Sequence, residues 1–344
     1  MSIRQLPSSV PRSGLGIVRW AGAVFERCDD GVGGPLQRMR RRIKFWARCC
    51  RHPGALRASV ASLHEHGLDR LLANDPSLPL RVLRPYLRSG LRAGERAAAF
   101  DNHFRWLARH MPPAWIDSLY AGRMIPLLAP TPIAGLEFGL AIPHGLGREG
   151  ELALHLHWQG QRAMSLAFSI ASGETVVGSD AAADLHAVVG VIQGLPNADG
   201  LLRDISSACE RLRPTALMVV AMQALCAGWQ IGAPLCVAPD SHVYAGYRSQ
   251  RRRIGLDYDT VWKDAGGTPV GSHYWLLPPA PRLRPDAEVE SRHRAQHRRR
   301  NALRTRLFDA VSQGTAGMLL REPQCESLLD EVGARGHGEL EAVR

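Results

Sequence analysis

Residues 183–194 read "ADLHAVVGVIQG", and residues 213–240 read "RPTALMVVAMQALCAGWQIGAPLCVAPD". The first stretch is apolar nearly throughout and lacks the alternation of a half-exposed strand, so it predicts a strand buried at the centre of a sheet. The second opens with Arg213-Pro214-Thr215. Proline at a first helical position gives up no donor the helix needs. The run after it, "ALMVVAMQALCAGW", is apolar almost all round, which places the helix deep. Gly232 ends it, and "APLCVAPD" returns as a short buried strand. Asn197-Ala-Asp-Gly opens a further helix, "LLRDISSACERL", ahead of the deep one. Strands joined by helical crossovers indicate an α/β sheet.

Working upstream, "ELALHLHWQG" alternates strictly, with Leu152, Leu154 and Leu156 on one face and Ala153, His155 and His157 on the other. Gln159-Gly160-Gln161 is a hairpin turn, and "RAMSLAFSIA" is its return strand, with Met164, Leu166, Phe168 and Ile170 on one face. His155 and His157 share a strand face, an arrangement a metal could use, but no third ligand is evident and no metal site is expected. Before residue 130 the pattern is helical. Pro53 opens one amphipathic helix that Asn74-Asp75-Pro76 ends, and a second carries Leu91, Ala98, Phe104, Leu107 and Ala108, with His103 and His110 on it. Residues 1–35, rich in Gly, Pro and Ser, are expected to form a mobile leader. Downstream, residues from Tyr244 to Ala265 read as mostly helical. "GSHYWLLPPAP" is a last strand, and "AEVESRHRAQHRRRNALRTRLFDAV" is a final basic helix. The division expected is a leader (1–35), a helical region (36–130), an α/β (α+β) domain with a mixed sheet (131–312) and an irregular tail (313–344).

The 344 residues are 45% apolar and 22% charged, enough for a substantial core. The net charge is +11, yet only two of the cations are lysine, Lys44 and Lys263. The seven cysteines include no C-x-x-C spacing, which speaks against zinc and disulfide frameworks and fits a reducing compartment. The N-terminus lacks the features of a signal peptide, because Arg19 interrupts its apolar run, and no stretch is apolar for long enough to span a bilayer. A cytoplasmic protein is expected, able to meet the inner face of a membrane through its arginines. The final helix carries Arg292, Arg294, Arg298, Arg299, Arg300, Arg304 and Arg306 without interleaved aromatics. That argues against a nucleic-acid platform and leaves attraction to anionic lipid or an acidic partner.

The candidate site follows the second quoted strand. "APDSHVYAGYRSQRRRIGLDYDTVWKDAGG" sets Asp240, Ser241 and His242 at a strand's C-terminal end, where α/β sheets form ligand crevices. His242 is a candidate general base, and Tyr244 or Tyr258 a general acid. Arg248, Arg251, Arg252 and Arg253 can hold a small anionic ligand through phosphate or carboxylate. The same residues have structural uses. Asp240 or Ser241 can cap a helix, the tyrosines can pack with bonded hydroxyls, and Asp257 and Asp259 can pair with the arginines. Adjacent Ser241-His242 is not the signature of a triad, whose members come from distant chain positions.

"VVGVIQG", "DISSACERLRPTALMVVAMQAL", "APDSHVY", "RRRIGLDYDTVWKDAGG" and "SRHRAQHRRRNALRTRLFDAV", in that order, resemble the bacterial VirK/YbjX family, as do "HPGALRASVASL" and the segment from Leu78 to Pro113. The resemblance spans about residues 36–312 and is densest over 187–265. It departs at Ala245-Gly246-Tyr247 and at Glu290–Arg294. It implies a protein without an agreed reaction, associated with envelope remodelling, virulence and resistance to cationic peptides. A looser similarity links Pro214–Gly267 to the C-terminal half of a GNAT acetyltransferase. In those enzymes acyl-CoA lies where the fourth strand parts from the fifth, its pyrophosphate at a helix N-terminus. By that similarity Gln193 and Gly194 end the fourth strand, and the helix from Pro214, with Thr215, meets phosphate. The usual glycine-rich loop is replaced by "CERLRPTA", so Arg211 and Arg213 would bind phosphate instead. Three functions remain open: a cytoplasmic ligand-binding protein serving the envelope, an acyl-CoA-dependent transferase, and a non-catalytic adaptor for anionic surfaces.

Overall fold

The computed structural model describes residues 14–28, 34–127, 132–178, 184–246 and 257–320. Six helices come first: α1 (Gly14–Cys28), α2 (Pro35–Arg51), α3 (Pro53–Glu65), α4 (Leu71–Asn74), α5 (Ala93–His110) and α6 (Pro113–Tyr120). The strands β1 (Ile125–Pro126), β2 (Leu136–Ala141), β3 (Leu152–Trp158) and β4 (Gln161–Ser172) follow. After α7 (Gly173–Val176) come β5 (Leu185–Gly194), α8 (Asp199–Ala208), α9 (Pro214–Gly228) and β6 (Gly232–Val237). The chain closes with α10 (Tyr258–Asp264), β7 (Thr268–Val270), β8 (Tyr274–Leu276) and α11 (Arg294–Ala316).

The eight strands form one mixed sheet in the order β1-β2-β3-β4-β5-β6-β8-β7. All neighbours are antiparallel except β5 and β6. A parallel pair needs a crossover, and α8 and α9 supply it. The β3–β4 hairpin turns through Gln159 and Gly160, both at positive φ (50° and 77°), the two-residue turn that matches strand twist. Phe168 of β4 lies 6.1 Å from Trp229 at the end of α9, and Trp229 lies 4.7 Å from Trp106 of α5. One hydrophobic core therefore joins the helical region to the sheet, and a smaller one, with Trp20, Phe45 and Val60, joins α1, α2 and α3.

Four expectations are corrected. Residues 14–28 are helical rather than leader, because Ile17, Trp20, Ala21 and Val24 recur at helical spacing and are buried. The helix from Pro53 stops at Glu65, where Gly67 takes a φ of +66°, and α4 is a separate turn. The last strand is a hairpin, β7 and β8, turned at Gly271 with φ +56°. In the stretch expected to be helical from Tyr244, among the described residues 244–246 form a turn and a helix runs Tyr258–Asp264. Tyr247, Arg248, Arg251, Arg252 and Arg253 lie outside the described residues.

Candidate functional site

Strand β5 decides the geometry. Its parallel partners on β6 are His186↔Gly232, Val188↔Leu235 and Val189↔Cys236, and no pair follows. On its other edge β5 stays paired with β4 as far as Gly194. The two parallel strands thus part after Val189. At that point the β4–β5 register slips by one residue, a bulge at Gly190. A Cβ on Gly190 would lie 2.1 Å from the Glu149 carbonyl oxygen, and one on Gly150 would lie 2.3 Å from the Phe168 nitrogen. Two glycines therefore let the loop before β3 lie directly on the sheet, which sets Glu149 against the bulge.

The gap between the parted strands is filled from α10. Tyr258 donates its hydroxyl to the Ile192 carbonyl of β5 (3.0 Å), and Trp262 donates Nε1–H to the Val237 carbonyl of β6 (3.3 Å). Both rings are buried. The side chains thus satisfy strand carbonyls that have lost ladder partners. Burial raises the Tyr258 phenol, and nearby Glu149 adds to the rise. Asp257 caps α10 by accepting from Thr260 N–H (3.1 Å).

His242 stacks on Tyr258 (6.3 Å, 12°) and meets Tyr244 at 5.6 Å. It is 4% exposed, and burial brings its pKa down to about 4, so the ring is neutral at physiological pH. Its Nδ1 accepts from Tyr244 N–H (3.3 Å), which leaves the proton on Nε2, an atom with no partner among the described residues. The Arg148 guanidinium lies 5.4 Å from the centre of the Tyr244 ring. Glu149, 2% exposed, is the second group of this kind. Its Oε2 has no partner among the described residues, and burial raises its pKa to about 7. A carboxyl poised near neutrality is a group that can accept a proton.

Ser241 is anchored. Its carbonyl accepts from Ser89 N–H (2.8 Å), and its hydroxyl lies 2.8 Å from Nδ1 of the exposed His273. Asp240 is exposed at the rim. The structure thus gathers Ser241, His242, Tyr244 and Tyr258 around the end of β6.

Two arginine-lined cavities flank this cluster. The first, about 340 Å³, lies between α9, α10 and the start of α11. Arg211, Arg213 and Thr215 line it at the start of α9, Arg282, Arg300 and Arg304 face them, and Val219, Val220 and Val261 make an apolar floor. Glu210 and Arg211 both take positive φ (53° and 62°), a costly turn for residues with side chains, and it leads directly into Arg213. Arg300 donates to the Glu210 carbonyl (2.7 Å) and braces that turn. Gln193 and Gly194 do not line this cavity; they close the β4–β5 ladder. The second cavity, about 440 Å³, is lined by Arg41, Arg48, Arg84, Arg148 and Tyr244, with Phe25 and Phe45 as apolar walls. Arg81, which also lines it, bridges Asp75 (2.6 Å) and the fully buried Glu151. Burial pushes the Glu151 carboxyl up, and the Arg81 charge offsets part of the rise. His103 is packed rather than exposed, its Nδ1 accepting from Ile170 N–H (3.2 Å). His155 and His157 lie 6.1 Å apart, and among the described residues no group of three or more metal-ligating side chains gathers.

Sequence reasoning missed Arg148, Glu149, His273, Arg282 and their contacts. They sit in loops whose partners are distant in the chain, and only the glycines around Glu149 hinted at a close approach.

Residues 34–313 match the family described as Protein of unknown function (DUF535). The chain belongs to this family. It is 25% identical over 267 residues to the Uncharacterized protein YbjX of Escherichia coli (strain K12), across 74% of this chain and 76% of that protein. The VirK/YbjX assignment read from the sequence therefore stands. No solved structure matches the chain. The matched span contains the β5–β6 divergence, Glu149, His242, Tyr258 and every arginine of the first cavity.

Proposed function

We propose that this protein is an acyl-CoA-dependent acyltransferase with a GNAT-like sheet. The observation that carries the reading is the parting of β5 and β6 beside the arginine-lined start of α9. From β2 onward, four antiparallel strands lead to one parallel pair joined across a deep helix, followed by an inserted terminal hairpin. The first cavity suits a ligand with several phosphates on one part and an apolar arm on another: five arginines face a single carboxylate, Asp264, over a valine floor. Tyr258 and Trp262 occupy the gap between the strands, so the ligand lies along the outer faces of α9 and α10. Tyr258, whose hydroxyl is engaged by Ile192, serves as a strut, and Glu149 is the group that takes the acceptor's proton as its oxygen or nitrogen attacks the thioester carbon. As the new acyl bond forms the carbon–sulfur bond breaks, and CoA leaves as a thiolate that takes its proton from solvent. The VirK/YbjX resemblance makes an envelope constituent bearing an amine or hydroxyl the natural acceptor, in a cytoplasmic setting.

The test is thermal unfolding with acetyl-CoA, palmitoyl-CoA and CoA lacking its 3′-phosphate. A ligand at a hundredfold excess over its Kd stabilises the folded state by about 2.7 kcal/mol. Arg213→Ala with Arg304→Ala removes that gain while leaving the unliganded melting temperature within a few degrees. If no acyl-CoA raises the melting temperature, the reading falls.

A further inference from the structure

Helix α2 carries a face that the described residues leave uncovered. Its inner residues Phe45 and Cys49 pack into the small core with α1 and α3. On the opposite side Leu36 is 57% exposed, Met39 53% and Ile43 60%. These are three of the five exposed large hydrophobic side chains among the described residues. Steps of three and four residues place them in one stripe, which exposed Ala47 and Cys50 extend along the helix. Cations border the stripe, with Arg40, Lys44 and Arg51 on one flank and Arg42 on the other. Only Arg42 among these four has an ion-pair partner among the described residues, Glu26 of α1. Altogether α2 contains six arginines, one lysine and no acid.

We infer that α2 is an interfacial helix that seats the protein on a bilayer containing anionic phospholipid. Charge chooses the occupant. A second copy of the chain would bring seven cations against seven with no carboxylate on either helix to pair them. A protein partner of ordinary composition would leave most of them unmatched. An anionic bilayer offers what both parts of the face require: phosphate at the level of the cations and acyl chain beneath for Leu36, Met39 and Ile43. At 1.5 Å per residue the 17 residues of α2 extend about 25 Å, and no helix of the described chain is long and apolar enough to cross a membrane, so the helix lies in the plane of the surface. Arg41, Phe45 and Arg48, on the inward side of the same helix, line the second cavity, which thereby lies directly behind the docked surface. The inference does not rest on the acyltransferase reading.

Co-sedimentation of the full chain with vesicles tests it, comparing phosphatidylcholine alone with phosphatidylcholine containing phosphatidylglycerol. Binding is expected only to the anionic vesicles at low salt and is expected to decline as salt rises. Met39→Ser with Ile43→Ser lowers binding at least about tenfold. Arg40→Gln with Lys44→Gln lowers it roughly 25-fold, about fivefold per cation. Arg298→Ala with Arg306→Ala, on α11, leaves it unchanged. Absence of binding at low salt overturns the inference, as does binding that survives the Met39/Ile43 change, which would assign attachment to other arginines. A wild-type dimer that the Met39/Ile43 change converts to monomer would show that a second copy covers the stripe. A lowered melting temperature in that variant would show the stripe to be packed within the protein. Either result also overturns the inference.

Discussion

Replacing Glu149 by glutamine is expected to stabilise the folded protein at neutral and alkaline pH and to change nothing in acid. The carboxyl is buried at the Gly190 bulge, and burial raises its pKa from 4.5 to about 7. A group whose folded pKa lies above its unfolded value favours the fold fully below the unfolded value, and that advantage is lost as pH rises through the folded one. The window here runs from 4.5 to about 7. At roughly 1.4 kcal/mol per pH unit, ionising Glu149 in place costs the native state about 3 kcal/mol above that window. Glutamine keeps the shape of the protonated form and cannot ionise. Urea unfolding of both proteins across the pH range should therefore give curves that coincide near pH 4 and separate by about 3 kcal/mol near pH 8, with a melting difference of about 5 °C or more. The same substitution should abolish acyl transfer while leaving acyl-CoA binding intact, because it removes the base and touches no arginine of the first cavity. A stability gain joined to a loss of activity is the mark of a group held under strain for function. Curves that stay parallel at every pH would refute the reasoning, since they would mean that Glu149 ionises as freely in the fold as outside it.

Two further changes probe the parted strands. Gly190→Ala forces a Cβ into the Glu149 carbonyl at 2.1 Å, backbone against backbone, and should cost about 3 kcal/mol or more in denaturant unfolding and displace the Glu149 loop. Tyr258→Phe removes the donor to the Ile192 carbonyl and should cost about 1–3 kcal/mol; a variant of unchanged stability would show that carbonyl to be satisfied without the phenol.

The two quoted stretches carried the sheet because their residues bury on every side, and a strand or helix of that kind has few other places to go. Strand β5, helix α9 and strand β6 accordingly appear with nearly the expected bounds. Helix α1 was hidden by the glycines, prolines and serines that surround it, although Ile17, Trp20 and Val24 carried a readable period. The site was legible in part. Ser241, His242, Tyr244 and Tyr258 meet because a strand end and the following helix are close in sequence as well as in space. Glu149 was not legible, because its burial depends on a bulge some forty residues away, and a carboxylate in a Gly-rich loop reads as solvated. Arg282, Arg300 and Arg304 reach the first cavity from beyond the sheet, a placement set by how α11 packs on α9 and not by local pattern.

That packing is close. A Cβ on Gly228 would lie 2.1 Å from the Thr315 hydroxyl, so the two helices touch near their ends. One wall of the first cavity consequently belongs to nearly the last described segment of the chain. During synthesis the start of α9 leaves the ribosome well before α11, and the nascent protein has no complete pocket until residues near 315 have emerged. Any small molecule that settles there can only reward the finished product; it cannot chaperone the sheet into shape. A premature stop ahead of α11 should yield a chain that is both blind to its ligand and open along its deepest helix.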